Sequence, residues 1–156
     1  MIRILDISEC GEALDTLIKW NDDYWSEKTP EVDLDEWIRF YQECVESRGM
    51  RIPVTLVGLH DERVFGAVSI VEVDDILDFP DYSPWIAGVI VGEEYRGQGL
   101  GLALMRGAEE KIRQLGLQKV YLWTNSRDEW YRAQGWIELH RQPFGRVEAV
   151  IMEKDF

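Results

Sequence analysis

The run Val89-Ile90-Val91-Gly92-Glu93-Glu94-Tyr95-Arg96-Gly97-Gln98-Gly99-Leu100-Gly101 passes from a β-branched strand through a glycine-rich turn into a helix. Three glycines fall within five positions, 97 to 101. Glycine lets a backbone approach a ligand closely. At the start of a helix, the unpaired N–H groups and the positive dipole end face whatever lies there, and a phosphate suits that field best. A Walker phosphate loop is excluded because no Gly-Lys-Ser/Thr follows. A dinucleotide turn of the Gly-x-Gly-x-x-Gly kind needs a glycine at position 102, which is Leu102. What remains is Arg96-x-x-Gly99-x-Gly101, with Gly101 in the first helical turns, where a missing side chain also permits close packing on a sheet.

Outward from this turn, hydrophobic periodicity divides the chain into short elements. Upstream, Met1–Asp6 reads as a strand. Cys10, Leu14, Leu17 and Ile18 recur at helical spacing. A second helix begins near Asp33, with Glu36 three residues on to resemble a capping box, carries the stripe Trp37, Phe40, Tyr41, Cys44 and Val45, and stops at Gly49. Ile52–Leu59 and Val64–Val73 form a hairpin around a four-residue turn, His60 to Arg63. An acidic, proline-broken loop follows, and then a strand at Trp85–Val91.

Downstream, Leu100 to about Leu115 is a helix ended by Gly116. Its first turns (Leu100, Leu102, Ala103, Leu104, Met105) are apolar all round and therefore read as buried. Lys119–Thr124 is a strand, Arg127–Gln134 a short helix, and Trp136–His140 and Arg146–Met152 are closing strands. The order β-α-α-β-β-β-α-β-α-β-β predicts an α+β fold: one domain over residues 1–156, with a mixed, mostly antiparallel central sheet and helices on both faces.

Composition narrows the function. The 156 residues carry 17 Lys+Arg and 30 Asp+Glu, a net charge of −13, and 46% are hydrophobic. Such a chain can bury a core, and its charge opposes both nucleic acid and an anionic membrane surface as partners. The surplus acid points to cationic partners or to a solvated, solubilising face. Cys10 and Cys44 both lie in stretches read as helices, and with His60 and His140 they form no metal-binding spacing, so no metal is expected. With no leader-like start and no apolar run of membrane-spanning length, the expected location is the cytoplasm. Seven tryptophans in so small a domain leave room for the apolar interface of a homodimer.

The segment 89–101 resembles the core motif of the GNAT N-acetyltransferase superfamily. A second stretch, Trp130-Tyr131-Arg132-Ala133-Gln134-Gly135-Trp136, is similar to that family's aromatic-Tyr-x-x-x-Gly-aromatic segment, and the element order is the family's over essentially the full chain. The resemblance implies transfer of an acetyl group from acetyl-CoA to an amine. It implies that the backbone at Val89 and Val91 pairs with the pantetheine arm, and that the amides of Arg96, Gly97, Gln98, Gly99, Leu100 and Gly101 bind the pyrophosphate. It further implies Asn125 as a weaker cofactor contact and Tyr131 as the general acid for the departing thiolate. A phenol held near that sulfur can deliver a proton to it. Read without its flanking motif, Tyr131 is an ordinary core aromatic, and Arg96 a solvated charge.

The family's base position is empty here. Protein-acetylating members often carry a glutamate at the start of the strand that here begins with Trp85, and Trp85–Val91 contains no carboxylate. Glu72, Asp74 and Asp75 are the candidate bases, directly or through water, with a turn and solvent-facing role as the alternative; Trp85 is a candidate lining residue of the acceptor pocket. A CoA-binding sensor without catalysis is the competing reading, and a nucleotide-binding domain on the same glycine turn a third. The charge bears on the acceptor. Residues 1–84 hold 7 bases and 20 acids, a net of −13, whereas residues 85–156 hold 10 of each. All the surplus acid lies in the half expected to cover the acceptor, which favours a cationic amine.

Overall fold

The computed structural model describes residues 1–25 and 33–156. The strands are β1 (Ile2–Asp6), β2 (Val54–His60), β3 (Arg63–Val71), β4 (Trp85–Val91), β5 (Lys119–Thr124), β6 (Ile137–Phe144) and β7 (Val147–Asp155). The helices are α1 (Leu14–Trp25), α2 (Leu34–Ser47), α3 (Leu100–Gln114) and α4 (Asp128–Ala133). One seven-stranded sheet runs in the order β1-β2-β3-β4-β5-β7-β6. Every neighbouring pair is antiparallel except β4 and β5.

The sheet is covered on both faces. Leu104, Met105, Ala108 and Ile112 of α3, together with Tyr131 and Trp136 at α4, pack against Val54, Leu56, Val68, Ile70, Val120 and Leu122 on one face. On the other, Leu17 of α1 and Tyr41 and Cys44 of α2 meet Val57, Leu59 and Ala67. A third cluster, around Trp85, Tyr121, Ile76 and Ile151, closes the end of the sheet under the acidic loop. No helix among the described residues is long and apolar enough to cross a membrane.

The α+β sheet and its element order agree with the sequence reading, and β4 and β5 have the expected bounds. Local departures have physical causes. Cys10 is not helical: it lies between two short 3₁₀ turns, with φ −142° and ψ 60°. The β2–β3 hairpin closes through two residues, Asp61 and Glu62, rather than four. Both take positive φ, 48° and 66°, the geometry that matches strand twist. The N-terminal ammonium pairs with Asp61 at 2.7 Å, and Arg3 with Glu62 at 2.8 Å, holding β1 beside this turn. Asp33 caps α2 by accepting from the Glu36 amide at 2.9 Å, and the helix ends at Arg48 in the left-handed region, one residue ahead of Gly49. Leu102 and Ala103 are half-buried rather than buried, and Leu102 faces a cleft. Of the tryptophans whose side chains are described, Trp85 and Trp136 are buried and Trp20, Trp37, Trp123 and Trp130 are half-buried.

Candidate active site

The cleft is made where β4 and β5 separate. A single register pair, Trp85 with Tyr121, joins the two strands, and the Tyr121 amide donates to the Pro84 carbonyl at 3.0 Å. Immediately beyond, β4 bulges: Ser69 faces Ala87 but Ala67 faces Ile90, so Gly88 and Val89 share one position opposite β3, with Gly88 at φ 61°. A bulge bends its strand and increases local twist. The result is a cleft of about 660 Å³ whose walls are β4 from Ile86 to Val91 and the segment from Leu122 to Arg127. Residues from both faces of the sheet line it: Asn21 and Tyr24 of α1 on one, Leu100 to Leu102, Trp130 and Tyr131 on the other. It is therefore a slot through the sheet.

The glycine turn forms the wall on the α3 face. Gly97 and Gly99 have φ 75° and 77°, so side chains there would be strained even though open space surrounds them. Gly99 is the N-cap of α3, no side chain caps the helix, and its first turn holds no acid. Free N–H groups of a fifteen-residue helix thus open on the cleft. Arg96 braces the turn, its Nε donating to the Val91 carbonyl at 3.0 Å. Gln98 lies outside the cleft lining and donates to the Glu94 carbonyl at 3.2 Å. A Cβ at Gly101 would meet Trp130 at 3.7 Å, an ordinary contact. Packing on the sheet therefore does not require that glycine, and its bareness widens the cleft.

Tyr131 projects from α4, its ring edge-on to Trp130 at 4.9 Å and to Trp136 at 6.5 Å. Arg141 ties the helix to the β6–β7 hairpin, reaching Asp128 at 2.9 Å, Glu138 at 2.6 Å and Glu148 at 3.2 Å, while Arg132 reaches Asp128 and Glu138 at 3.2 and 3.0 Å. Tyr131 is 8% exposed, lines the cleft and makes no side-chain hydrogen bond among the described residues. Burial pushes its hydroxyl up to about 12, against the opposing charge of Arg127.

The acidic loop is pinned in place. Tyr82 stacks on Tyr121 at 4.4 Å and Phe79 on His140 at 4.6 Å. The Tyr82 hydroxyl bonds His140 Nε2 at 2.7 Å, Ser83 donates to the Glu72 carbonyl at 2.8 Å, and Gln142 donates to Asp78 at 2.8 Å. This anchoring sets Asp74 and Asp75 in the cleft wall. Asp74 is pushed up to about 7, by burial first and by the neighbouring Asp75 charge second; hydrogen bonds from the Asp75 amide and the Trp123 indole restrain the shift. Glu72 is exposed and outside the lining. Trp85 is 1% exposed and belongs to the core, its indole donating to the Tyr82 carbonyl at 2.6 Å.

The cleft thus gathers Val89, Val91, Arg96, Gly97, Gly99, Leu100, Gly101, Asn125 and Tyr131 with Asp74 and Asp75, and leaves out Gln98, Glu72 and Trp85. Sequence reading missed Asn21, Tyr24, Trp123 and Arg127. Asn21 had a signal: it extends the Leu14, Leu17 stripe of α1 as a polar member, 1% exposed, with Nδ2 donating to the Leu17 carbonyl at 2.9 Å and to the Tyr41 hydroxyl at 2.6 Å. Among the described residues, no group of three or more His, Cys, Asp or Glu is placed to hold a metal.

Comparison with known proteins agrees with this architecture. The acetyltransferase (GNAT) family model matches residues 14–144. No curated protein matches in sequence. Among solved structures, the ribosomal-protein-alanine N-acetyltransferase of Brucella melitensis is 20% identical with a TM-score of 0.74, covering 100% of this chain and 99% of its own. YncA of Salmonella typhimurium, a putative acetyltransferase solved with acetyl-CoA, is 20% identical with a TM-score of 0.68, over 99% and 92%. An aminoglycoside 6'-acetyltransferase type Ii is 15% identical with a TM-score of 0.72, over 99% and 96%. At these identities the likeness is one of fold, while the family model spans most of the chain: the protein belongs to the GNAT family of acetyltransferases.

Proposed function

We propose that the protein transfers the acetyl group of acetyl-CoA to a primary amine by direct attack within a ternary complex. The observation that carries this is the hydroxyl of the buried Tyr131, without a hydrogen-bond partner among the described residues, in the same cleft as the uncapped N-terminus of α3.

The residues present fit acetyl-CoA. The amides from Gly97 to Gly101 form an anion cradle with no acid in the first helical turn, and Arg96 and Arg127 line the same cleft. Val89 sits in the β4 bulge, outside the register pairs with β3, so its backbone groups are available to an extended ligand arm; the Val91 carbonyl is engaged by Arg96. When bound, acetyl-CoA supplies an acetyl thioester whose sulfur departs as an anion once an amine attacks.

The chain's own groups handle the protons. As the C–N bond forms and the C–S bond breaks, Tyr131 gives its proton to the sulfur. Its raised value keeps it protonated throughout the physiological range. Asp74, poised near neutrality, accepts the proton that the amine loses. Glu72 is not suited to that role because it stands outside the cleft. A catalytically silent CoA sensor was attractive while no base was in view, and a carboxylate in the cleft wall weakens that reading. Incubating the protein with acetyl-CoA and a panel of polyamines, aminoglycosides, amino acids and basic peptides should give amine-dependent thiol release and a product heavier by one acetyl group. Thiol release that no amine accelerates would refute the proposal.

A further inference from the structure

The charges lining the cleft are segregated. Its only charged lining residues among those described are Arg96 and Arg127, at the glycine turn and at the start of α4, and Asp74 and Asp75, adjacent in the acidic loop. Asn21 of α1 lines the same cleft. Both hydrogens of its Nδ2 are spent, on the Leu17 carbonyl and the Tyr41 hydroxyl, and its Oδ1 makes no hydrogen bond among the described residues. Asn21 is 1% exposed and lines the cleft, and its unpaired oxygen is not among the fully enclosed atoms, so a ligand in the cleft can reach it. Two carboxylates and an amide oxygen accept hydrogen bonds only. A ligand seated there must bring donors, and two acids side by side are best answered by two positive charges. The groups are also graded in depth, with Asn21 buried, Asp74 half-buried and Asp75 exposed.

We propose that the acceptor is a small dication: a primary amine whose reacting nitrogen meets Asn21 and Asp74 in the depth of the slot, with a second cationic nitrogen held by Asp75 at its mouth. This rests on the acetyl-transfer reading of the same cleft and adds the substrate class. The second cation offsets the repulsion between the two carboxylates and leaves Asp74 free to take the proton of the first nitrogen. A monoamine of equal length leaves Asp75 unanswered.

The test is calorimetric titration of putrescine and of n-butylamine into the protein saturated with CoA, in parallel with acetylation rates on both. Putrescine should bind at least about tenfold more tightly, the value of one charge-assisted contact at a partly exposed site. Asp75→Asn should abolish that preference, whereas Asp81→Asn, which removes an equal charge from the same loop outside the cleft lining, should preserve it. Equal affinities for the two amines, or an equal loss in both variants, would overturn the proposal. So would tighter binding of a lysine-containing peptide than of putrescine. If putrescine binds through Asp75 but is never acetylated, the transfer reading fails and the dication site stands. If both amines are acetylated with equal efficiency, the transfer reading stands and the dication site fails.

Discussion

Trp85 and Tyr121 form the single register pair between β4 and β5, their rings 5.8 Å apart. The cleft opens immediately beyond that pair. Were pairing to continue, the sheet would be closed and the α1 face would be sealed from the α3 face. Because it stops there, one ligand can enter from each side and the two can meet between the strands.

Tyr131→Phe should lower kcat by about 100-fold, the lower end of general acid contributions, with acetyl-CoA affinity nearly unchanged. Stability should hold as well, since the hydroxyl has no partner to lose among the described residues. Steady-state kinetics with calorimetry separates these effects, and a fully active variant would remove Tyr131 from the mechanism.

Asp74 predicts a pH profile. It must be ionised to accept a proton, so kcat should rise through about pH 7. No descending limb from Tyr131 should appear below about pH 12. The groups lining the same cleft are Asp75, Tyr24, Tyr95, Arg96, Arg127 and Tyr131. Asp74→Asn should remove the ascending limb and depress the plateau. An unchanged profile would assign the limb elsewhere.

The same shift has a consequence for stability. Asp74's folded value lies above its unfolded one, so the native state holds an extra proton between about pH 4 and 7, and stability falls as pH rises across that window. Asp74→Asn should therefore be more stable than the parent above pH 7, by at most about 4 kcal/mol. Thermal melts at pH 5 and pH 8 measure it, and a gain confined to pH 5 would contradict the sign.

Gly99→Ala places a side chain at φ 77° on the N-cap of α3. The expected result is a loss of about 1 kcal/mol in stability and weaker acetyl-CoA binding, as the turn's amides move. Gly58→Ala is a contrasting case, because its Cβ would lie 2.3 Å from the ring of Phe65, which is fully buried. It should cost about 1–3 kcal/mol through overpacking, with no effect on the cleft. Denaturant melts of both proteins, with calorimetry on acetyl-CoA, distinguish the two.

The architecture was legible in the sequence wherever side-chain type sets backbone state. The β-branched run of β4, the alternation in β5 and the glycines at 97, 99 and 116 located the central unit, and the motif around Tyr131 pointed to the acid. What escaped is set by tertiary contacts. The two-residue turn at Asp61 and Glu62 is held by the N-terminal ammonium of Met1 and by Arg3 of β1, partners that local propensity does not show. Apolar Leu102 reads as core but faces the cleft. Asn21 and Trp123 reach the site only because α1 and β5 converge there. Asp74 differs from Glu72 through the anchoring of one loop by Tyr82 and Phe79 on Tyr121 and His140.

The central claim is that donor and acceptor occupy the slot together. Initial rates of thiol release, measured over a grid of acetyl-CoA and amine concentrations, test it most directly. Simultaneous occupancy predicts double-reciprocal lines that intersect. Parallel lines, the sign of an acetylated enzyme intermediate, would contradict it.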